Sequence, residues 1–368
     1  MRGWLTRCRN YLTIRLPSHH NLWRKIFLRY NKSLHRFSLF TALCTFCLVI
    51  AGGLVTSTGS SLAVPDWPLS YGMVMPPMVG GILYEHGHRM IASFVGLLTI
   101  ILTVWLWKKE ERRWVKWFGI AALGAVITQG LLGGLTVVLL LPTAISVSHA
   151  TLAQTFFVIV SSIALFTSRW WQTDYPKLPQ SADHSLLRLS IVVVISVYIQ
   201  LILGALMRHT GSGLAVPDFP FAYGQIFPSL SAESVARYNQ GLIDSNLRLF
   251  ADGAVTSSQI LIHMLHRMWA VVVAVLVFTL SVKVLKSNQL PARIKGFGYI
   301  LISLIVVQLV LGMFTIFSQK AVDITTAHVA TGALILVISV LLLLHLARVY
   351  QLHVKKFSFV YSTERAIA

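Results

Sequence analysis

The sequence predicts an all-α integral membrane protein: eight transmembrane helices forming two parallel-repeat four-helix bundles, with both termini cytoplasmic. Three observations carry that prediction. The composition is 55% hydrophobic and 12% charged, with a mean hydropathy of +0.71, far from a soluble globular balance. Eight apolar runs are long enough to cross a bilayer, which takes about 20 residues each. A fifteen-residue stretch is also written twice, TGSSLAVPDWPLSYG at 58–72 and TGSGLAVPDFPFAYG at 210–224, identical at eleven positions.

The elements follow in order. Residues 1–36 form a basic cytoplasmic segment with nine Lys and Arg and no acid. An organellar transit peptide would look similar, but anchoring of the first span explains the same feature and is the reading adopted. The first span, 37–56, carries Cys44 and Cys47 on one helix face, where they read as small packing residues. The loop 57–86 leads to the second span, 87–107, and the charged turn KKEERRWVK at 108–116 to the third, 115–141. The fourth span, 148–168, completes an N-terminal bundle at 37–168, and 169–186 is a cytoplasmic linker. Four further spans, at 187–207, 260–282, 296–317 and 325–347, build a C-terminal bundle over 187–347, and 348–368 is a cytoplasmic tail.

The net charge of +19 raises the question of a nucleic-acid partner, and its placement answers it. Of 31 Lys and Arg, 25 fall in the head, the tail and the alternate loops 108–116, 169–188 and 283–295. The remaining loops are nearly free of them, the asymmetry that sets membrane topology. Basicity therefore reports orientation, and nucleic acid is excluded as a partner. No cysteine lies in an outward loop, so no exported disulfide framework is indicated.

The repeat extends beyond the loop. Gly52-Gly53-Leu54 aligns with Gly204-Ala205-Leu206, and HRM at 88–90 with HRM at 266–268 after about 26 extra residues. QGLLGGLT at 129–136 aligns with QLVLGMFT at 308–315, and SHATLAQ at 148–154 with AHVATGA at 327–333. Each copy holds four spans, so the second enters the membrane in the same direction as the first, giving parallel repeats.

His88 and His149 open the second and fourth spans, and His266 and His328 occupy the matching places in the second half. Histidine within a membrane is costly and faces the bundle interior or a cavity. A recurring pair at one depth suits a planar macrocycle held between two helices with one imidazole on each side of an iron. Structural histidines are the plainer alternative. Arg89 and Arg267 follow the first histidine of each pair and suit the two haem propionates, unless they only snorkel to the headgroups. The copies differ at one ionisable position: Glu85 lies three residues before His88, where the second copy has His263. A carboxylate beside a macrocycle can stabilise a developing cation or move a proton. A helix-start carboxylate favoured by the dipole is the bland alternative. His86 has no counterpart and reads as solvent-facing; His263 reads as an outer group rather than a ligand. Asp66 reads as a turn cap, and Trp67 as an interfacial or macrocycle-edge aromatic.

The Gly-rich helix end, the TGSxLAVPDWP stretch, Pro76-Pro77, Glu85-x-x-His88-Arg89 and the duplicated histidine pair together resemble the haem A synthase family of cytochrome oxidase assembly proteins. The likeness runs from about 37 to 347. It implies a membrane oxidoreductase that converts the C8 methyl of haem O to the formyl of haem A by two hydroxylations and a dehydration. It further implies haem b on His266 and His328, with Arg267 beside it, and substrate haem O at His88, His149 and Arg89. Glu85 matches the family's catalytic acid. The implied partners are a haem O synthase upstream, an electron acceptor of unstated identity, a terminal oxidase downstream and membrane lipid. The implied location is the bacterial inner membrane rather than the mitochondrial one.

Two departures stand out. Many bacterial members carry a cysteine pair in the first outward loop; here Ser70-Tyr71 stands where one falls, which excludes a disulfide-linked reduction step. Thr56 stands where some members have Arg before the TG motif, whereas Arg208 fills that place in the second copy. A dihaem electron-transfer cytochrome without substrate chemistry remains the alternative, and a transporter a weaker one.

Overall fold

The computed structural model describes residues 30–172, 177–179, 183–245 and 254–350. Most of the expected N-terminal segment 1–36, including Cys8, part of the 169–186 linker and nearly all of the 348–368 tail lie outside the described residues. The described chain is helical, with eight helices long and apolar enough to cross a membrane. In order they are α1 (Lys32–Ser57), α2 (Gly80–Lys109), α3 (Arg113–Val138), α4 (Thr143–Thr167) and α5 (Ser185–His209). A shorter helix, α6 (Ala232–Asp244), precedes the last three, α7 (Ser257–Lys286), α8 (Ala292–Phe317) and α9 (Val322–Val349).

Local chemistry explains the boundaries. Asn31 caps α1 by accepting from Leu34 N, and Thr256 forms a reciprocal capping box with Gln259 at the start of α7. Pro142 and Pro291 stand immediately before α4 and α8, where the missing N–H is no loss. Leu140 and Leu141 turn the chain with positive φ after α3, so that helix stops short of the expected 141. Inside α1, Ser38, Thr41 and Thr45 return their hydroxyls to the carbonyls of Leu34, Phe37 and Thr41. That local bond removes the penalty of an apolar setting.

Helix α2 begins at Gly80, seven residues before the run read from hydropathy. Its first two turns are amphipathic and face the preceding loop, so they add little to an apolar average. The four histidines consequently sit about two turns inside their helices rather than at the openings. Helix α6 was not anticipated; its cue is the Ser231 cap followed by Val235, Tyr238 and Leu242 at helical spacing.

The packing follows two cycles. Helices α1, α2, α3 and α4 touch in a closed order, as do α5, α7, α8 and α9, and the cycles meet through α1 with α9, α4 with α5 and α4 with α9. One apolar core lies among Leu102, Val115, Phe156 and Ile163, and another among Val193, Val277, Leu301 and Leu342. Large apolar side chains such as Leu43, Ile127, Val275 and Val306 point outward. At the junction, Phe46 stacks on Phe157 with centroids 5.6 Å apart. There too Arg208 donates to Gly53 O at 3.0 Å and Ser57 Oγ at 2.7 Å.

Candidate functional site

The twin loops fold alike. Gly59 and Gly211 both take φ 69, and Tyr71 and Tyr223 take 54 and 53. Trp67-Pro68 and Phe219-Pro220 are both cis. Tyr71 donates its hydroxyl to Ala63 O, and Tyr223 to Ala215 O. Asp66 accepts from Tyr71 N at 2.7 Å and Gly72 N at 2.8 Å, the turn-capping role read from sequence; Asp218 does the same for Tyr223 and Gly224. Hydrogen bonds from the Gly72 and Tyr71 amides hold the Asp66 carboxyl below the usual carboxylate range. Burial pushes the Tyr223 hydroxyl above its ordinary pKa, with the nearby Asp218 and Tyr238 adding to it.

Each loop is locked to the next helix by an arginine. Arg89 donates to the carbonyls of Asp66, Leu69 and Val64 and pairs with Glu85 Oε1 at 2.6 Å. Arg267 donates to the carbonyls of Val216, Asp218 and Phe221 and to His263 Nε2 at 3.0 Å. Glu85 and His263 are equivalent in space as well as in sequence: Val64 N donates to Glu85 Oε2 at 2.8 Å, and Val216 N approaches His263 Nδ1 at 3.3 Å. Because a guanidinium can only donate, Nε2 of His263 is its unprotonated nitrogen. Arg89 is thus balanced by a carboxylate, whereas Arg267 is satisfied by neutral acceptors. Both guanidinium groups are committed to their loops, and a propionate would have to share them.

His86 does not face solvent. It is buried, and its Nδ1 lies 2.7 Å from Ser70 Oγ. The second copy has Ala222 and Met264 there, within an apolar cluster. The second turn of α2 runs beneath the loop, so a neighbouring segment buries His86, which the local pattern of α2 does not encode.

The four histidines of interest share one packing feature, a glycine beneath the ring. His88 and His149 lie within electrostatic reach of each other, as do His266 and His328. Each ring lies over a glycine of an adjacent helix, Gly52, Gly133, Gly204 and Gly312 in turn; a Cβ there would fall 3.1–3.2 Å from the ring's Cε1. Gln129, Gln200 and Gln308 present side-chain amides to His149, His266 and His328. The buried Nδ1 atoms of His88, His149 and His328 have no hydrogen-bond partner among the described residues. Trp67 lies over Gly134, beside the glycine under His149. Cys44 and Cys47 are unbridged thiols on α1. What the glycines touch and the part of the glutamines escaped the sequence reading, although the Gly52-Gly53-Leu54 and QGLLGGLT matches with the second copy contained all four glycines, Gln129 and Gln308.

A family model described as cytochrome oxidase assembly protein matches residues 78–340. Among similar proteins, the Heme A synthase of Alkalihalophilus pseudofirmus is 31% identical over 226 residues, covering 60% of this chain and 74% of that one. The Heme A synthase of Halalkalibacterium halodurans is 32% identical over 216 residues, or 56% and 70% of the two chains. That of Geobacillus kaustophilus is 27% identical over 327 residues, 86% and 92% of the two.

Proposed function

The chain belongs to the cytochrome oxidase assembly protein family, and on that premise we propose how its two histidine pairs divide the work of a haem A synthase. Such an enzyme is a membrane oxidoreductase acting on haem. We assign substrate haem O to His88 and His149, resident haem b to His266 and His328, and the catalytic carboxylate to Glu85. The residues fit a haem in both places. Each pair supplies two buried imidazoles cushioned on glycine, and the Nδ1 atoms of His88, His149 and His328 are left without a partner among the described residues. Neutral imidazole is an ordinary axial ligand.

The observation that carries the assignment is the exchange of Glu85 for His263 at one equivalent position beneath two alike loops. Glu85 would be the group to stabilise positive charge developing at a haem methyl on oxidation, and Arg89 and Val64 already hold its carboxylate in one orientation. Loop 58–72 shields the site from bulk water. Arg89 orients Glu85 and keeps its charge from being isolated. Haem b, when bound, supplies a one-electron acceptor of the class the oxidation needs.

The two contact cycles support reading 37–168 and 187–347 as parallel-repeat four-helix bundles. The basic head, linker at 169–186 and tail at 348–368 then face the cytoplasm of a bacterial cell, across its inner membrane. A haem O synthase would supply the substrate and a terminal oxidase would take the product; a further electron acceptor completes the cycle. Glu85→Gln tests the reading: extracted haems should shift to haem O or its alcohol while the haem b spectrum is kept. Normal haem A production in that variant would overturn it.

A further inference from the structure

The two pockets differ in how firmly their first histidine is held. Gly204 and Gly52 stand in the same relation to His266 and His88, each 3.1 Å in Cβ distance from the ring's Cε1. One helical turn earlier, on the same face, the second half has Gln200 and the first half has Leu48. The Gln200 amide reaches His266 Nδ1 at 3.2 Å and Nε2 at 3.3 Å, and donates to His266 O at 3.1 Å. Leu48 packs into the apolar core instead. Among the described residues no hydrogen bond reaches the His88 ring, and its Nδ1 is buried without a partner.

The loops above the pockets differ in the same sense. In the second half, α6 braces the loop: Tyr238 stacks on Tyr223 at 4.0 Å and 5°, and accepts from Ser229 N. Asn239 pairs with both backbone groups of Val255, at 2.9 and 2.8 Å. The first loop has no such helix, and Tyr71 is half exposed.

From these differences we infer that Gln200 is a positioning residue that fixes His266 for a permanently held haem, and that Leu48 in its place leaves His88 free to let substrate and product haem exchange. The inference rests on the pocket assignment above. A ligating imidazole donates its remaining N–H to an acceptor. Gln200 is packed on the ring through its bond to His266 O. Its amide oxygen, buried without a partner among the described residues, supplies that acceptor when the amide turns over. Removing such a partner lowers metal affinity about 10–100-fold. The side chain acts through His266 and touches no reacting atom.

The test uses the purified, haem-loaded protein and follows haem transfer to excess apomyoglobin by absorbance, with low-spin ferric EPR in parallel. Gln200→Leu should release the b-type haem about tenfold faster or more and shift its g-values. Leu48→Gln should slow release from the first pocket by a similar factor, so that haem O or haem A co-purifies. That gain does not depend on the first variant accumulating. Unchanged g-values and release in Gln200→Leu, or unchanged release in Leu48→Gln, would overturn the inference. His266→Ala separates the two claims: haem b retained in that variant defeats the pocket assignment itself, whatever Gln200 does.

Discussion

Replacing Glu85 by His would graft the second loop's lock onto the first and separate architecture from chemistry. Glu85 accepts from the buried Val64 amide at 2.8 Å and from Arg89 at 2.6 Å, with side chains 5% and 16% exposed. Glu85→Ala removes both acceptors. The orphaned Val64 donor costs about 1–3 kcal/mol, and the charged hydrogen bond about 1.5–3 kcal/mol. Arg89 keeps its three loop carbonyls, so the loss should total about 2.5–4 kcal/mol, the lower part of that sum, rather than the full penalty of an isolated charge. Histidine offers the acceptor that Arg267 already uses in His263, so Glu85→His should recover about half of that loss. Both variants should stop making haem A. Thermal unfolding in detergent, protease cleavage within 58–72 and chromatography of extracted haems read the three effects. Equal stability of the Ala and His variants would refute the lock argument, and haem A from Glu85→His would refute the need for a carboxylate.

Three further outcomes are expected. Gly312→Val should displace His328 and empty the proposed haem b site, whereas Gly52→Val should spare it and block the proposed substrate pocket; pyridine haemochrome spectra of the two proteins distinguish them. Asp66 has a depressed pKa in the folded loop, so its contribution is present above the ordinary carboxylate pKa and is lost as pH falls through the depressed value. Cleavage within 58–72 should therefore rise in that acid window, and Asp66→Asn should abolish the pH dependence. Tyr238→Ala removes a stacked pair worth about 1 kcal/mol and the bond to Ser229, so the second loop should become as protease-sensitive as the first.

Much of this was legible in one dimension. Hydropathy marked all eight spans because each must cover a bilayer's thickness in apolar residues. Span boundaries were read least well at α2, where the turns carrying Glu85 and His86 face a loop and dilute the apolar average. Helix α6 was missed because a thirteen-residue amphipathic segment in a long loop leaves no hydropathy peak. His86 was misread because its burial depends on Ser70, sixteen residues away on a segment folded back over it.

The sequence by itself determined the all-helical membrane character, the duplicated loop, the four histidines and the exchange of Glu85 for His263. These are matters of composition, spacing and identity along one chain. Only the tertiary structure decided that Arg89 and Arg267 tie down their loops, that each histidine rests on a glycine, and that the Gln200 amide lies against His266 while Leu48 packs into the apolar core. Those relations join helices far apart in the chain, and they depend on the depth and rotation at which each helix meets its neighbour, which no local pattern encodes.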